Sequence, residues 1–303
     1  MNSGHIVDVN LPGQEYKIHV KPGVLNEAGT ILRELRSNVS KVGILTDTVV
    51  DGLHLKALQH ALAAADITAV VAVVPTGETY KTLQTLLPVF NTFLQAKIDR
   101  DTPILALGGG VIGDMGGFVA ASILRGVPFV QIPTTLLAMV DASVGGKTGI
   151  NHNVGKNLIG AFHQPIAVLA DPLLLKTLPP RELRGGLAEC IKHDCIRDVQ
   201  GFGDLERNIT RSLELDIEYL TDLISHNVAI KARVVEADQF EKGDRAHLNF
   251  GHTFGHAIES VSRYEYSHGE AIALGMTAAV YTSQMLGLIN EVARHRIIDV
   301  ING

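Results

Sequence analysis

The stretch Ile104-Leu105-Ala106-Leu107-Gly108-Gly109-Gly110-Val111-Ile112-Gly113-Asp114 reads as a strand, a glycine turn and the start of a helix. Glycines at 108, 110 and 113 have the spacing of a dinucleotide fingerprint, in which missing side chains let backbone amides approach a pyrophosphate at a helix N-terminus. A tight turn that needs positive φ angles would use the same residues, so the spacing alone leaves two readings. Two neighbours bear on the choice. The apolar run 42–46 ends in Asp47, and a carboxylate at the C-terminal end of a strand can accept hydrogen bonds from a ribose diol. The turn Thr76-Gly77-Glu78-Thr79-Tyr80-Lys81 follows the next strand at the same edge, although Glu78 and Lys81 alone read as a solvated i,i+3 pair.

Working outward, residues 41–171 alternate short β-branched runs with longer helical patterns, as a parallel sheet covered by helices requires. Strands are expected at 42–46, 67–74, 103–107, 129–133 and 166–169, with helices at 53–65, 79–96 and 111–124. Residues 6–11 and 16–20, around Pro12-Gly13, form an expected antiparallel hairpin on the sheet edge. After Pro179-Pro180 the texture turns helical, with expected helices at 181–196, 213–235, 253–261 and 271–286 and no convincing strand. The expectation is therefore an α/β, Rossmann-like domain over residues 1–179 followed by an all-α domain over 180–303.

Composition narrows the function. Apolar residues make up 46% and charged residues 19% of the 303, which is ordinary for a globular chain. The formal charge of −6 argues against nucleic acid or an anionic membrane as partner, so any anion site must be local. The longest apolar runs are strand-sized, far short of the ~20 residues that span a bilayer. Residues 1–10 lack the basic patch and apolar stretch of a secretory signal, and Cys190 and Cys195 read as buried thiols, so a cytoplasmic location is expected.

The helical part carries Asn249-Phe250-Gly251-His252-Thr253-Phe254-Gly255-His256 and then Ser267-His268-Gly269-Glu270. On a helix His252 and His256 share a face, as Glu189 and Lys192 do earlier. Two histidines and one carboxylate make a common catalytic zinc set. Spacing does not decide which three of Glu189, His252, His256, His268 and Glu270 bind the metal. Gly145-Gly146-Lys147-Thr148 has the ending of a P-loop, but Val140 stands where its first glycine belongs, so an ATP site is rejected and an extended loop carrying cations is expected. Arg125, Lys147, Lys156, Lys231 and Arg245 each have a plain reading as helix cap or solvated charge. Together they could surround a small, multiply charged anion.

Seven segments occur in a recognisable order: Gly108 to Asp114, Pro133-Thr134-Thr135, Val144 to Gly149, Gly155-Lys156-Asn157, Gly186-Leu187-Ala188-Glu189, Asn249 to His256 and His268-Gly269-Glu270. Together they resemble the 3-dehydroquinate synthase family, over essentially the whole chain. The resemblance implies Glu189, His252 and His268 as ligands of zinc, or cobalt. It implies Asp47, Glu78, Lys81, Gly109, Gly110, Asp114, Thr134, Thr135 and Thr177 at an NAD site, with Lys147 and Lys156 between NAD and substrate. It implies Arg125, Asp141, Lys147, Asn157, Lys192, Lys231, Arg245, Asn249 and His256 as the substrate set, in a homodimer where Arg125 reaches the neighbouring subunit. The implied reaction converts 3-deoxy-D-arabino-heptulosonate 7-phosphate, a sugar phosphate, into 3-dehydroquinate and phosphate on the shikimate route. Members of that family usually run several dozen residues past the position of Gly303. The expectation is thus a helical domain lacking the usual C-terminal tail, and a form without that tail is expected to turn over poorly.

Two rival classes remain. A related cyclase would close another sugar phosphate, whereas a metal-dependent NAD alcohol dehydrogenase would release NADH in bulk.

Overall fold

The computed structural model describes residues 4–262 and 265–303, so the first three residues of the expected α/β domain lie outside the described residues. Its centre is a seven-stranded sheet in the order β1-β2-β9-β6-β5-β3-β4. The strands are β1 (His5–Val9), β2 (Tyr16–Val20), β3 (Lys41–Asp47), β4 (Thr68–Val74), β5 (Ile104–Gly108), β6 (Phe129–Pro133) and β9 (Ala167–Ala170). Only the β1–β2 edge pair is antiparallel; the other neighbours run parallel. β5 and β6 are buried along their whole length, as strands covered on both faces must be. Alternate residues serve opposite faces: Leu105 and Leu107 enter one hydrophobic core and Ile104 and Ala106 the other.

The chain passes from β3 out to β4, then returns to place β5 on the other side of β3. This makes the β3/β5 boundary the topological switch point, where connections leave in opposite directions and open a crevice beyond the strand C-termini. Asp47 closes β3 at that point, and Gly109 leads from β5 into the helix Gly110–Ser122 there.

The helices are α1 (Ala28–Leu35), α2 (Thr48–Val50), α3 (Lys56–Ala63), α4 (Leu83–Gln95), α5 (Gly110–Ser122), α6 (Pro180–Arg197), α7 (Val199–Leu213), α8 (Ile217–Ala237), α9 (His252–Val261), α10 (His268–Met285) and α11 (Glu291–Asn302). α6 begins on a proline at its first position, where the missing N–H costs nothing. The larger core runs without a break from the sheet into α6, α7 and α8 through residues such as Leu187, Leu205 and Ile224. Among the described residues no helix is long and apolar enough to cross a membrane.

The expected strands appear with ends shifted by a residue or so, and the described part of 182–303 contains no strand. Four helices, α1, the short α2, α7 and α11, were not among the expected ones. α8 begins at Ile217, after Asp216, whose side chain accepts from the Tyr219 amide and so sets the start later than residue 213. The largest departure is at 147–162. In place of an extended loop, β7 (Lys147–His152) and β8 (Gly155–Phe162) pair as an antiparallel hairpin packed against α5. The pairing is close because Gly149 and Gly160 face each other; a Cβ on Gly160 would stand 2.1 Å from the Thr148 carbonyl oxygen.

Candidate active site

α9 and α10 approach each other at glycines. Gly251, at φ 79°, turns the chain into α9, and a Cβ on Gly275 of α10 would lie 2.1 Å from the Gly251 carbonyl oxygen. A Cβ on Gly269 would likewise lie 2.2 Å from the Gly185 Cα, which lets α10 start against α6. These contacts bring Glu189 of α6, His252 of α9 and His268 of α10 to one place. The Glu189 carboxylate is fully buried, with Oε1 4.0 Å from His252 Nε2 and 3.8 Å from His268 Nε2.

Oε1 of Glu189 finds no hydrogen-bond donor among the described residues, while Oε2 is ion-paired with Lys192. A buried carboxylate oxygen facing two imidazole nitrogens lacks a cation. The spacing is near the roughly 3.4 Å between two ligands that share one tetrahedral ion about 2.1 Å away, so these residues fit a metal. Burial, reinforced by Lys192, pushes His252 down to about 4, leaving a neutral ring at neutral pH. Burial would raise Glu189, but Lys192, His252 and His268 together outweigh it, and the carboxylate is held below its usual range. His268 is raised, because Glu259 and Glu189 outweigh the effect of burial. Glu270, one of the five candidates read from spacing, is occupied elsewhere: Arg181 holds both its oxygens at 2.8 and 2.5 Å, and it completes the capping box of α10 with Ser267.

Around this centre lie the cations. Lys192 and Lys231 are buried, and Lys231 Nζ sits 2.7 Å from Asp141 Oδ1. Asp141 is held well below the usual carboxylate range by Lys231 and Lys192 against a large burial penalty. Lys147 of the hairpin pairs with Glu241, which also accepts from Asn249 Nδ2 at 3.2 Å. Arg245 is buried with its guanidinium beside Gly145, where a Cβ would come 2.5 Å from Nη2. His256 is exposed, its ring centroid 5.3 Å from that of His252. Arg125 stands apart, exposed at φ 66° and joining none of these pairs among the described residues.

At the switch point Gly108, Gly109 and Gly110 are not in the positive-φ region, so a left-handed turn does not account for them. They serve close approach: a Cβ on Gly108 would lie 2.6 Å from Ile112, and one on Gly109 3.1 Å from Thr135 Cγ2. No side chain caps α5, leaving its first amides directed at the crevice, which suits a pyrophosphate. Asp47 spends Oδ1 on the Val49 and Val50 amides and on the Thr76 hydroxyl. Lys81 is buried and donates to Asp114 Oδ2 and Asn157 Oδ1, each at 2.5 Å, while Glu78 accepts from Asn151 at 2.7 Å. Burial raises Asp114 despite Lys81. The Thr134 amide donates to the Gly108 carbonyl, the Thr135 hydroxyl accepts from the Ala138 amide, and Thr177 pairs with His54 at 2.9 Å. Lys156, on β8, reaches Glu259.

Glu241, Glu259 and His193 were not singled out from the sequence. Glu259 had a signal, since 252, 256 and 259 fall on one helix face. His193 follows Lys192 directly and places Nε2 3.4 Å from Asp141, with Nδ1 against Asn227. Glu241 lies in an irregular turn with no periodicity to mark it.

Family models described as 3-dehydroquinate synthase N-terminal and 3-dehydroquinate synthase C-terminal match residues 71–185 and 186–303. A 3-dehydroquinate synthase of Nitrosospira multiformis is 49% identical over 285 residues, covering 93% of this chain and 77% of that protein. Among solved structures, a 2-epi-5-epi-valiolone synthase from Streptomyces hygroscopicus subsp. jinggangensis with NAD+ and Zn2+ bound is 30% identical with a TM-score of 0.86, over 95% of this chain and 79% of that one. A 2-deoxy-scyllo-inosose synthase complexed with carbaglucose-6-phosphate, NAD+ and Co2+ is 25% identical with a TM-score of 0.87, over 98% and 82% of the two chains.

Proposed function

The chain belongs to the 3-dehydroquinate synthase family, and from this we propose that it converts 3-deoxy-D-arabino-heptulosonate 7-phosphate into 3-dehydroquinate and phosphate. It is a lyase of the shikimate route that works by transient oxidation, phosphate elimination, reduction and intramolecular aldol closure. The observation that carries this reading is the buried Glu189 Oε1, without a donor and faced by His252 and His268, in the midst of buried lysines.

Glu189, His252 and His268 are assigned as ligands of a divalent metal, zinc or cobalt, which when bound supplies Lewis acidity at the reacting hydroxyl, while NAD accepts and returns a hydride. NAD is assigned to the β3/β5 crevice, with Gly109 and Gly110 against the pyrophosphate and Asp47, Glu78, Lys81, Asp114, Thr134, Thr135 and Thr177 around it. The α/β part, 1–179, then holds NAD and the helical part, 180–303, the metal.

Lys147, Lys156, Asn157, Lys192, Lys231, Arg245 and Asn249 are assigned to the substrate's carboxylate and phosphate. Buried ammonium groups bind an oxyanion strongly because little water competes. Lys192 beside Glu189 places one such charge at the metal's edge, and Asp141 fixes Lys231 in place. His256, exposed at the rim, is assigned to substrate binding and proton relay. No dedicated protein base is required where the leaving phosphate itself takes the proton. Arg125, apart from the cluster, is assigned to the site of a neighbouring subunit in a homodimer.

The solved 2-epi-5-epi-valiolone and 2-deoxy-scyllo-inosose synthases are 25–30% identical, against 49% for the dehydroquinate synthase, so another substrate is not favoured. The test is phosphate release from the heptulosonate phosphate by purified protein with catalytic NAD and zinc. Release that a chelator stops, with no net NADH, is expected. Bulk NADH would identify a dehydrogenase, and turnover of a different sugar phosphate alone would identify a rival cyclase.

A further inference from the structure

Glu259 takes no part in the assignments above, yet it is nearly buried on α9 and its Oε1 lies 3.5 Å from His268 Nδ1 and 3.4 Å from Lys156 Nζ. His268 thus stands between two carboxylates, with Nδ1 toward Glu259 and Nε2 toward Glu189 at 3.8 Å. A neutral imidazole carries one proton. Whichever nitrogen faces an outer carboxylate keeps that proton, and the other presents its lone pair. We propose that Glu259 is a positioning residue that holds the proton of His268 on Nδ1 and aims Nε2 at the metal, an inference that rests on His268 being a ligand. Carboxylates placed behind metal-bound imidazoles fix both the tautomer and the ring plane.

Glu259 could instead be a ligand itself, since atoms of His256, Glu259 and His268 lie within 4.8 Å of one another. Two features oppose this. The oxygen concerned already faces the Lys156 ammonium, so a metal there would sit against a cation. It would also have to take Nδ1 of His268, on the side of the ring away from Glu189, whose Oε1 would keep no partner. With Glu259 outside the coordination sphere, both carboxylates find positive partners: Glu189 the metal and Lys192, Glu259 the Nδ1–H and Lys156.

The experiment measures zinc affinity by chelator competition, and the visible spectrum of the cobalt-loaded protein, for the full chain and for Glu259→Ala, Glu259→Gln and Glu189→Ala. Glu259→Ala is expected to bind one equivalent at saturation with affinity lowered about 10- to 100-fold, the usual cost of losing such a partner. Glu259→Gln, which keeps the volume, is expected to show a smaller loss and a shifted cobalt spectrum. Thermal unfolding of the metal-free proteins separates these effects from misfolding, and if the alanine variant does not fold the glutamine variant decides. Unchanged affinity and spectrum in the variants overturn the inference. Loss of all binding in Glu259→Ala, as severe as in Glu189→Ala, overturns it by making Glu259 a ligand. Full zinc affinity in Glu189→Ala would instead show that the ligand assignment itself fails, and the inference with it.

Discussion

Lys231 Nζ reaches Asp141 twice, at 2.5 Å through the backbone carbonyl and 2.7 Å through Oδ1, joining α8 to the turn that ends before the hairpin. Burial alone would favour the neutral form of both groups. Lys231, with Lys192 adding, holds Asp141 ionised, while burial still draws Lys231 downward. Removing one partner of a buried pair costs about 3–5 kcal/mol, and Asp141, which keeps Lys192 and His193 close, falls at the low end of that scale. Lys231→Met is expected to lose stability on that scale in urea unfolding, and Lys231→Met with Asp141→Asn to recover a good part of it. Equal stability of the single variant and the parent would mean that the pair is not held charged.

Glu189→Ala is expected to abolish metal binding and turnover while leaving NAD affinity unchanged, because the assigned NAD site lies at the β3/β5 crevice and not on α6. The substitution also strips the fully buried Lys192 of its partner, so a fall in stability accompanies it. Glu189→Gln, which keeps the volume and an oxygen that can accept from Lys192, is expected to lose less stability than Glu189→Ala while metal binding is still lost. Metal content by atomic absorption and NAD titration by fluorescence give the readout. Full activity in a metal-free variant would refute the mechanism.

How much of this was legible depends on the kind of signal. The strand, glycine turn and helix at 104–114 announced themselves because apolar runs and glycines punctuate the chain sharply there. The hairpin 147–162 did not. Its strands alternate Gly149, Gly155 and Gly160 with Lys147, Lys156 and Asn157, a composition poor in β-branched residues, and β8 lies largely exposed. It is held by glycine contacts and by packing on α5, which no local pattern reports. α7 hid for a related reason, since Gly201 and Gly203 weaken its first turns. For the metal cluster, spacing left five candidates. Tertiary structure removes Glu270 by giving it Arg181, and gathers Glu189, His252 and His268 from three helices.

Acid should weaken the metal-free protein through His252. In the unfolded chain this imidazole titrates near 6.5, whereas burial, with Lys192 adding, holds it at about 4 in the fold. Between these values the unfolded chain binds a proton that the folded one does not, so the contribution is full above pH 6.5 and is lost as pH falls toward 4. At about 1.36 kcal/mol per pH unit the loss is about 3 kcal/mol at most. His268, whose folded pKa is raised, acts in the opposite sense but is present in both proteins of a comparison. The stability of the parent minus that of His252→Gln is therefore expected to shrink from pH 7 to pH 4, measured by urea unfolding in chelator. A difference that grew on acidification would show that His252 is not held neutral.

Gly109→Ala separates the two readings of the glycine turn. Gly109 has φ −74° and ψ −170°, which an alanine adopts freely, so the backbone gives no reason for glycine. The added Cβ would meet Thr135 Cγ2 at 3.1 Å, a contact that a small shift of one side chain relieves. Stability should change by about 1 kcal/mol or less, toward the low end of the range for overpacking. If the amides that open α5 cradle a pyrophosphate, the same methyl group stands where the ligand approaches. NAD affinity is then expected to fall by about tenfold or more, corresponding to at least about 1.4 kcal/mol. Equilibrium binding of NAD to the folded variant is the measurement. Unaltered affinity would place the dinucleotide away from this turn, leaving Gly109 as a packing residue against Thr135.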